Sequence, residues 1–515
     1  MPVNNLPPEL LSHIFCLGTA AAADKESHRP SHLDDLMEWI GSVYEEDDDD
    51  GDSCGSDDED EDDESTSSDS SSELESDLPF QVLVSHVCKR WRYIAIETPT
   101  LWTSINFLEG PPFVKSQVWI DRSKQLPIDI EIDCPALDGD GIPHTFSIID
   151  LSSALDIIIP HVHRWKKLDV SVCNYEYMYF VMERLSECKA APQLELIDFC
   201  HYEDCDDSDH FKPPSLIQSF APFNGNAPKL KHAAFWGVHI LWSIPLLHNL
   251  VDIELAYHTM DVRPSWDDFS RMLKESPRLE ALTLTLSGPA GSPTDWSQDP
   301  IQLPSLVELS LAYHTPEYIS PLLRLLHMPN LKRLQLDFED SDFTQFVHQL
   351  AIPPFEKSSS LLAGIEYLKI SGLPCSTRAC DVMYEQLANL KSLHLNCSFV
   401  DVAFFEKLMS PPPPSTHSDV ASPATQMYCP NLTTITTSGI RGKLMKDFVE
   451  ARKAAGFPIK TVAMSESDKV REKDEKWLRR NVQSFEYFES SDTDDDPSEG
   501  WDHEGLSAAL HLFHG

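Results

Sequence analysis

One register recurs along this chain and limits its fold more than any other feature: L-x-x-L-x-L, often preceded by Pro-x. It falls at Leu194/Ile197/Phe199, Leu250/Ile253/Leu255, Leu279/Leu282/Leu284, Leu306/Leu309/Leu311, Leu331/Leu334/Leu336, Leu390/Leu393/Leu395 and Leu432/Ile435/Thr437. Weaker copies begin at Trp165, Leu230, Ile365 and Ile459. The eleven starts lie on average about 29 residues apart, a period that suits repeats of one strand plus one helix. One repeat cannot bury its own apolar side, but a stack of them can.

Alternation then sorts the residues of each strand. The register residues point into the stack, and those between them line one face of a parallel sheet. Helical patterns fill the intervals, as in SWDDFSRMLKES, where Ser265 and Asp268 fit a capping box, and in EYISPLLRLLHM. Outward positions include Lys167, Asp169, Asp198, His232, Trp236, Asp252, Glu254, Glu308, Arg333, Gln335, Asp337, Tyr367, Lys369, His394 and Asn396. Of these, Trp236, Glu254, Glu308, Arg333, Gln335, Tyr367, Lys369 and His394 are the candidates for holding a target protein, with the two aromatics as anchors. The phrase LAYHT occurs twice, at 255–259 and 311–315, and its histidines, His258 and His314, read as loop or stack residues of the array, not as catalytic or metal-binding ones.

The net charge of -44 is unevenly placed. Glu45 to Asp77 holds nineteen acidic residues, no Lys or Arg and a single leucine, so it cannot bury enough apolar surface to fold and is expected to be a disordered insertion. Serines with an acid three positions on, such as Ser70 with Glu73, suit acidophilic kinases. A chain of this sign, without a Lys/Arg stripe, speaks against nucleic acid as a partner. The twelve cysteines show no C-x-x-C spacing, and neither a secretory signal nor an apolar run of membrane-spanning length is found. The expectation is a chain with reduced thiols in the cytoplasm or nucleus, not bound to membrane.

On either side of the acidic run lie two amphipathic pieces. LPPELLSHIF sets Leu10, Leu11, Ile14 and Phe15 at helical spacing behind Pro7 and Pro8. FQVLVSHVCKRWRYIAIE reads as one helix with Val84, Val87, Cys88, Trp91 and Ile94 or Ala95 on a stripe, stopped at Thr98-Pro99. LDDLMEWIGSVY, 33–44, reads as a further helix.

The pattern L-P-x-E-L-L-x-x-I-F followed, after the insertion, by V-C-x-x-W-R-x-I-A and T-P-x-L-W resembles the F-box of fungal, basidiomycete-type F-box proteins with leucine-rich repeats. The insertion departs from that family, whose box runs without interruption. The resemblance implies docking on a Skp-type adaptor, and through it a cullin, by Leu6, Pro7, Leu10, Ile14, Val87, Cys88 and Trp91, with a protein substrate held by the repeats. The fold expected is α/β: a small all-α F-box-like unit, 5–102, interrupted by 45–77; a leucine-rich-repeat solenoid of parallel strands and helices, 103–489, closed by a capping helix; and an acidic, disordered tail, 490–515. The alternative is an acidic scaffold or histone-binding protein that uses 45–77 and joins no ligase.

Enzyme chemistry finds little support. There is no H-E-x-x-H, Walker-type or G-x-G-x-x-G stretch, and the one G-x-S-x-G, Gly51 to Gly55, lies inside the acidic run. Cys200, His201, Cys205, Asp207 and His210 match no zinc spacing, and DGDGIPH has Ser147 where a calcium loop needs Glu. No catalytic residue, metal or cofactor is assigned.

Overall fold

Alternating apolar residues that recur about every 29 residues should hydrogen-bond side by side, and they do. In the computed structural model, which describes residues 6–26, 78–134, 146–201, 209–339, 341–353, 359–411 and 427–488, the strands form a 14-stranded sheet in sequence order, compatible with a repeat solenoid. The acidic insertion 45–77, the expected helix at 33–44, the stretch 138–144 and the tail 490–515 lie outside the described residues. Among the described residues, contacts divide the chain into two units: one built on residues up to Ser104 with Gln117–Leu126, the other on Ile105–Ser116 and the chain from Pro127 to Phe488.

The sheet belongs to the second unit. Its strands are β1 (Ser104–Asn106, starting at the boundary), β2 (Ile128–Cys134), β3 (Trp165–Val172), β4 (Leu196–His201), β5 (His232–Trp236), β6 (Asp252–Ala256) and β7 (Ala281–Thr285). After a two-residue β8 (Ile301–Gln302) come β9 (Glu308–Ala312), the two-residue β10 (Leu326–His327), β11 (Arg333–Asp337), β12 (Tyr367–Gly372), β13 (Ser392–Asn396), β14 (Thr434–Ser438), β15 (Thr461–Ser465) and β16 (Ser484–Phe488). β8 and β10 pair only with each other. Pairing from β2 to β16 is parallel, and the register joins equivalent repeat positions: Ile253 faces Leu282, Leu282 faces Leu309, Leu309 faces Leu334, Leu334 faces Leu368 and Leu368 faces Leu393. Each of these residues is buried, so the apolar rows run continuously from turn to turn of the array.

A corner recurs at the strand ends. Gly237, Tyr257, Leu286 and Tyr313 follow β5, β6, β7 and β9 with positive φ, and each donates its N–H to the last residue of the next strand, at 2.8, 2.8, 2.9 and 2.8 Å. A left-handed Tyr or Leu costs roughly 1–3 kcal/mol, of which the hydrogen bond at each corner offsets a part. Behind two of these corners sit the repeated histidines. His258 Nε2 donates to the Val238 carbonyl at 3.0 Å while its Nδ1 accepts from Ser287 Oγ at 2.9 Å, and His314 Nε2 donates to Leu284 O at 3.0 Å. Burial pushes both imidazoles down to about 3. Of the two readings, loop or stack, burial and the bonds to the neighbouring repeats make them stack residues. The cap at Ser265 is present as well, with its Oγ accepting from Asp268 N at 3.1 Å. The C-terminal stretch read as a capping helix is a helix, Glu472–Asn481, followed by β16, which the repeat register did not announce.

The first unit is helical: α1 (Pro8–Glu26), α2 (Phe80–Val87), α3 (Lys89–Ile96) and a 3-10 turn (Pro99–Trp102). Its core is Leu11, Phe15, Val84, Ile94, Ala95, Leu101 and Trp102, all buried. Trp102 is tied by its indole N–H to Ala95 O at 2.9 Å and by the Arg122 guanidinium 4.5 Å from its ring. The expected single helix across Val84 to Ile94 is corrected. Cys88 is extended, at φ -160° and ψ 168°, and breaks the run in two; its sulfur accepts from Trp91 N and so caps α3. Because of the break, Val87 and Cys88 do not share the buried stripe of Val84, Ile94 and Ala95. No helix among the described residues is long and apolar enough to cross a membrane.

Candidate functional site

Two surfaces stand out, one on each unit. On the helical unit, α1 buries Leu11 and Phe15 and turns Leu10, Ile14 and Leu17 outward, 50%, 44% and 57% exposed at i, i+4 and i+7. On α2, Leu83 and Val87 are outward at i, i+4, and Val87 is 59% exposed. Close packing of the two helices depends on Gly18, where a Cβ would come 2.2 Å from the Phe80 ring. Leu6 is half-buried, and Pro7 and Cys88 are exposed. Trp91 is half-buried with its ring 5.0 Å from Phe15, so it joins the core to the surface. Five outward aliphatic side chains on so small a unit are the kind of surface that a partner covers. Each gains roughly 1 kcal/mol when its exposed half is covered.

On the sheet unit, the residues between the register positions form one face, and the structure separates them into two groups. Around β9 to β12, Glu308 accepts from Arg333 Nε at 3.0 Å and from Gln335 Nε2 at 2.8 Å, while the Arg333 guanidinium lies 4.3 Å from the Tyr367 ring. This group satisfies itself, and Gln335 is buried, contrary to the expectation of an open solvated position. Lys369 is half-buried. His394 lies 5.9 Å from the Phe488 ring, and burial, with the Lys369 charge, holds its imidazole down to about 3.

Around β3 to β6 the balance is different. The sheet register sets Asp169 beside Asp198 and Asp252 beside His232, with Glu254 on the same face of β6. Lys167 pairs with Asp169 at 2.9 Å, and His232 Nδ1 is 3.7 Å from Asp252 Oδ2. Glu254 is only 4% exposed, again contrary to expectation; the Trp236 indole N–H bonds to its carboxyl, but its Oε1 has no hydrogen-bond partner. Asp198 keeps some contact with solvent yet is hemmed in by these neighbours. Lost hydration, then the Asp169 charge, pushes its carboxyl up to about 8, and Glu254 is likewise held well above the usual carboxylate range by burial and then by Asp198 and Asp252. Trp236 stacks obliquely on Tyr257 at 5.7 Å, which in turn lies 6.4 Å from Tyr313.

Alternation places Asp198 and Asp252 on this face but does not single them out, since the number of charges that converge depends on pairing across strands; Tyr257, out of phase with them, meets Trp236 at the left-handed corner that follows β6. Of the residues tested for zinc spacing, Cys200 and His201 end β4, and burial raises the thiol and depresses the imidazole, the latter to about 4. Among the described residues no three His, Cys, Asp or Glu side chains converge as a metal site. Fold and surfaces define the class: an α/β protein with a long parallel sheet, an outward polar sheet face, and a separate helical unit with an apolar face. No protein-family model matches the sequence, and no curated protein matches it.

Proposed function

We propose that this chain is a substrate receptor of an SCF-type ubiquitin ligase, an F-box protein whose leucine-rich-repeat solenoid holds a target protein while its helical unit docks a Skp-type adaptor. Such a receptor does no chemistry itself; it raises the local concentration of target lysines around the conjugating enzyme by tethering. The observation that carries the reading is the outward set Leu10, Ile14 and Val87, aliphatic residues left without cover at positions that the F-box resemblance gives to the adaptor. A residue kept only for the core would be buried, as Leu11 and Phe15 are.

The test is capture of the full chain by a purified Skp-type adaptor. Leu10→Asp and Val87→Asp suit it better than Trp91→Ala, because the first two side chains face outward whereas Trp91 also packs on Phe15. Each charge is expected to abolish capture without lowering the thermal midpoint, and deletion of 45–77 is expected to leave capture intact. Capture that survives both charges rejects the reading, and salt-sensitive capture of histones that depends on 45–77 favours the acidic-scaffold alternative.

A further inference from the structure

The acidic group on β4 to β6 is built unlike a solvated face. Surface carboxylates ordinarily sit in water, where an unpaired charge costs nothing. Here Glu254 is almost fully buried, its Oε1 is without a partner, and the carboxyls of Asp198 and Asp252 lie close enough to raise its proton affinity. Among the described residues, the bases Lys167 and His232 beside the cluster are already engaged with Asp169 and Asp252. An unpaired buried oxygen among like charges is costly and is relieved by a cation that brings its own donors. Metal is a poor fit, since no three ligating side chains converge among the described residues. A basic side chain fits better: its N–H groups would meet the partly exposed Asp198 carboxyl, its charge would lie beside the enclosed Glu254 carboxyl, and its plane would rest near the Trp236 and Tyr257 rings, as cations do on aromatic faces.

We propose that Asp198, Asp252, Glu254 and Trp236 form the seat for a basic side chain, arginine or lysine, presented by the target protein. This deepens the receptor reading and rests on it for the identity of the guest as a target. It also sets the chemistry of the guest segment: cationic and extended, lying across β4 to β6. The acidic run 45–77 carries the wrong sign to be that guest.

The experiment uses the full chain and fluorescein-labelled decapeptides of alternating Arg-Ser, Lys-Ser and citrulline-Ser, followed by anisotropy at pH 8.5. A second protein carries Asp198→Asn with Glu254→Gln, and a third lacks 45–77. The proposal expects the Arg or Lys peptide to bind and the citrulline peptide not to. It further expects the paired substitution to weaken binding about tenfold or more, the deletion to leave the binding lost on that substitution in place, and the thermal midpoint of the substituted protein not to fall. Equal binding by the wild-type and doubly substituted proteins, or binding lost entirely with 45–77, overturns it. So does binding of the citrulline peptide as tight as that of the Arg peptide. Adaptor capture by the same three proteins is scored separately: its failure overturns the receptor reading, whereas peptide binding reports on the seat alone.

Discussion

The repeated histidines give the sharpest quantitative test of how the array is held. His258 uses Nε2–H on the Val238 carbonyl and its Nδ1 lone pair on Ser287, so a second proton has no place to go without breaking the Ser287 bond. His314 is likewise buried and bonded through Nε2, with its ring stacked 5.4 Å from Tyr318. Both imidazoles are held down to about 3, against roughly 6.5 in the unfolded chain. A depressed imidazole means that between these values the unfolded chain binds protons that the folded chain refuses, so stability falls as pH drops through this window. At pH 5.0 each histidine should cost about 2 kcal/mol relative to pH 7.5, about 4 kcal/mol for the pair. This figure requires only that the folded values lie below 5. The perturbation is the double substitution His258→Gln and His314→Gln, whose amides can still donate to the two carbonyls. Urea unfolding followed by far-ultraviolet circular dichroism at pH 7.5 and 5.0 measures the loss in each protein. Asp198 and the other buried histidines contribute equally to both and cancel in the difference. The substituted protein should be less stable at pH 7.5 but should lose about 4 kcal/mol less than the wild type on acidification. Equal losses in the two proteins would refute the idea that these side chains are stacked in the neutral form.

Other consequences follow from single contacts. Asp198→Asn removes a carboxyl whose affinity for protons is raised by folding, a contribution to stability present at low pH and lost as pH rises toward about 8, so the substitution should stabilise the chain most above pH 8 and least near pH 4, read from thermal midpoints. Leu309→Ala empties a fully buried position in the middle of the sheet and should cost about 2–5 kcal/mol in urea unfolding. Ser265→Ala removes the cap on the helix Trp266–Lys274 and should cost about 0.5–2 kcal/mol.

How far the sequence foretold the fold depends on what each signal encodes. The strands at Leu306 and Leu331 were legible because two independent signals agree there, alternation within the strand and spacing between strands. β2 alternates as clearly, with Ile128, Ile130 and Ile132 inward, yet it lacks the Leu three residues earlier that anchors the register, and β16 lies beyond the last copy of that register, in the stretch taken up by the cap. The break at Cys88 was hidden for a different reason. No Gly or Pro marks it, and the residues on either side keep a helical spacing that a single helix would also give; only the sulfur's role as a cap sets the division. On the sheet face, alternation identified which residues look outward but not how deep they sit. Glu308 and Glu254 were equivalent by pattern, and they differ because strands β11 and β12 bring Arg333, Gln335 and Tyr367 around the first, whereas β4 to β6 bring Asp198, Asp252 and Trp236 around the second.

That difference bears on how one chain can serve two partners on the proposed reading. An aliphatic surface such as Leu10, Ile14 and Val87 binds in proportion to the area covered and is indifferent to fine chemistry, which suits a fixed adaptor common to many receptors. A buried carboxyl with an empty acceptor site discriminates by penalty. A neutral guest laid over Asp198 and Asp252, which keep some exposure beside Glu254, would remove their remaining hydration and supply nothing in return, at a cost of about 1–3 kcal/mol for each group left unmade, whereas a guanidinium or ammonium satisfies them. Selection by such a seat comes from what it refuses as much as from what it holds. The self-paired Glu308, Arg333 and Tyr367 group has no such demand, so substitutions there should alter affinity without changing which charge the guest must carry.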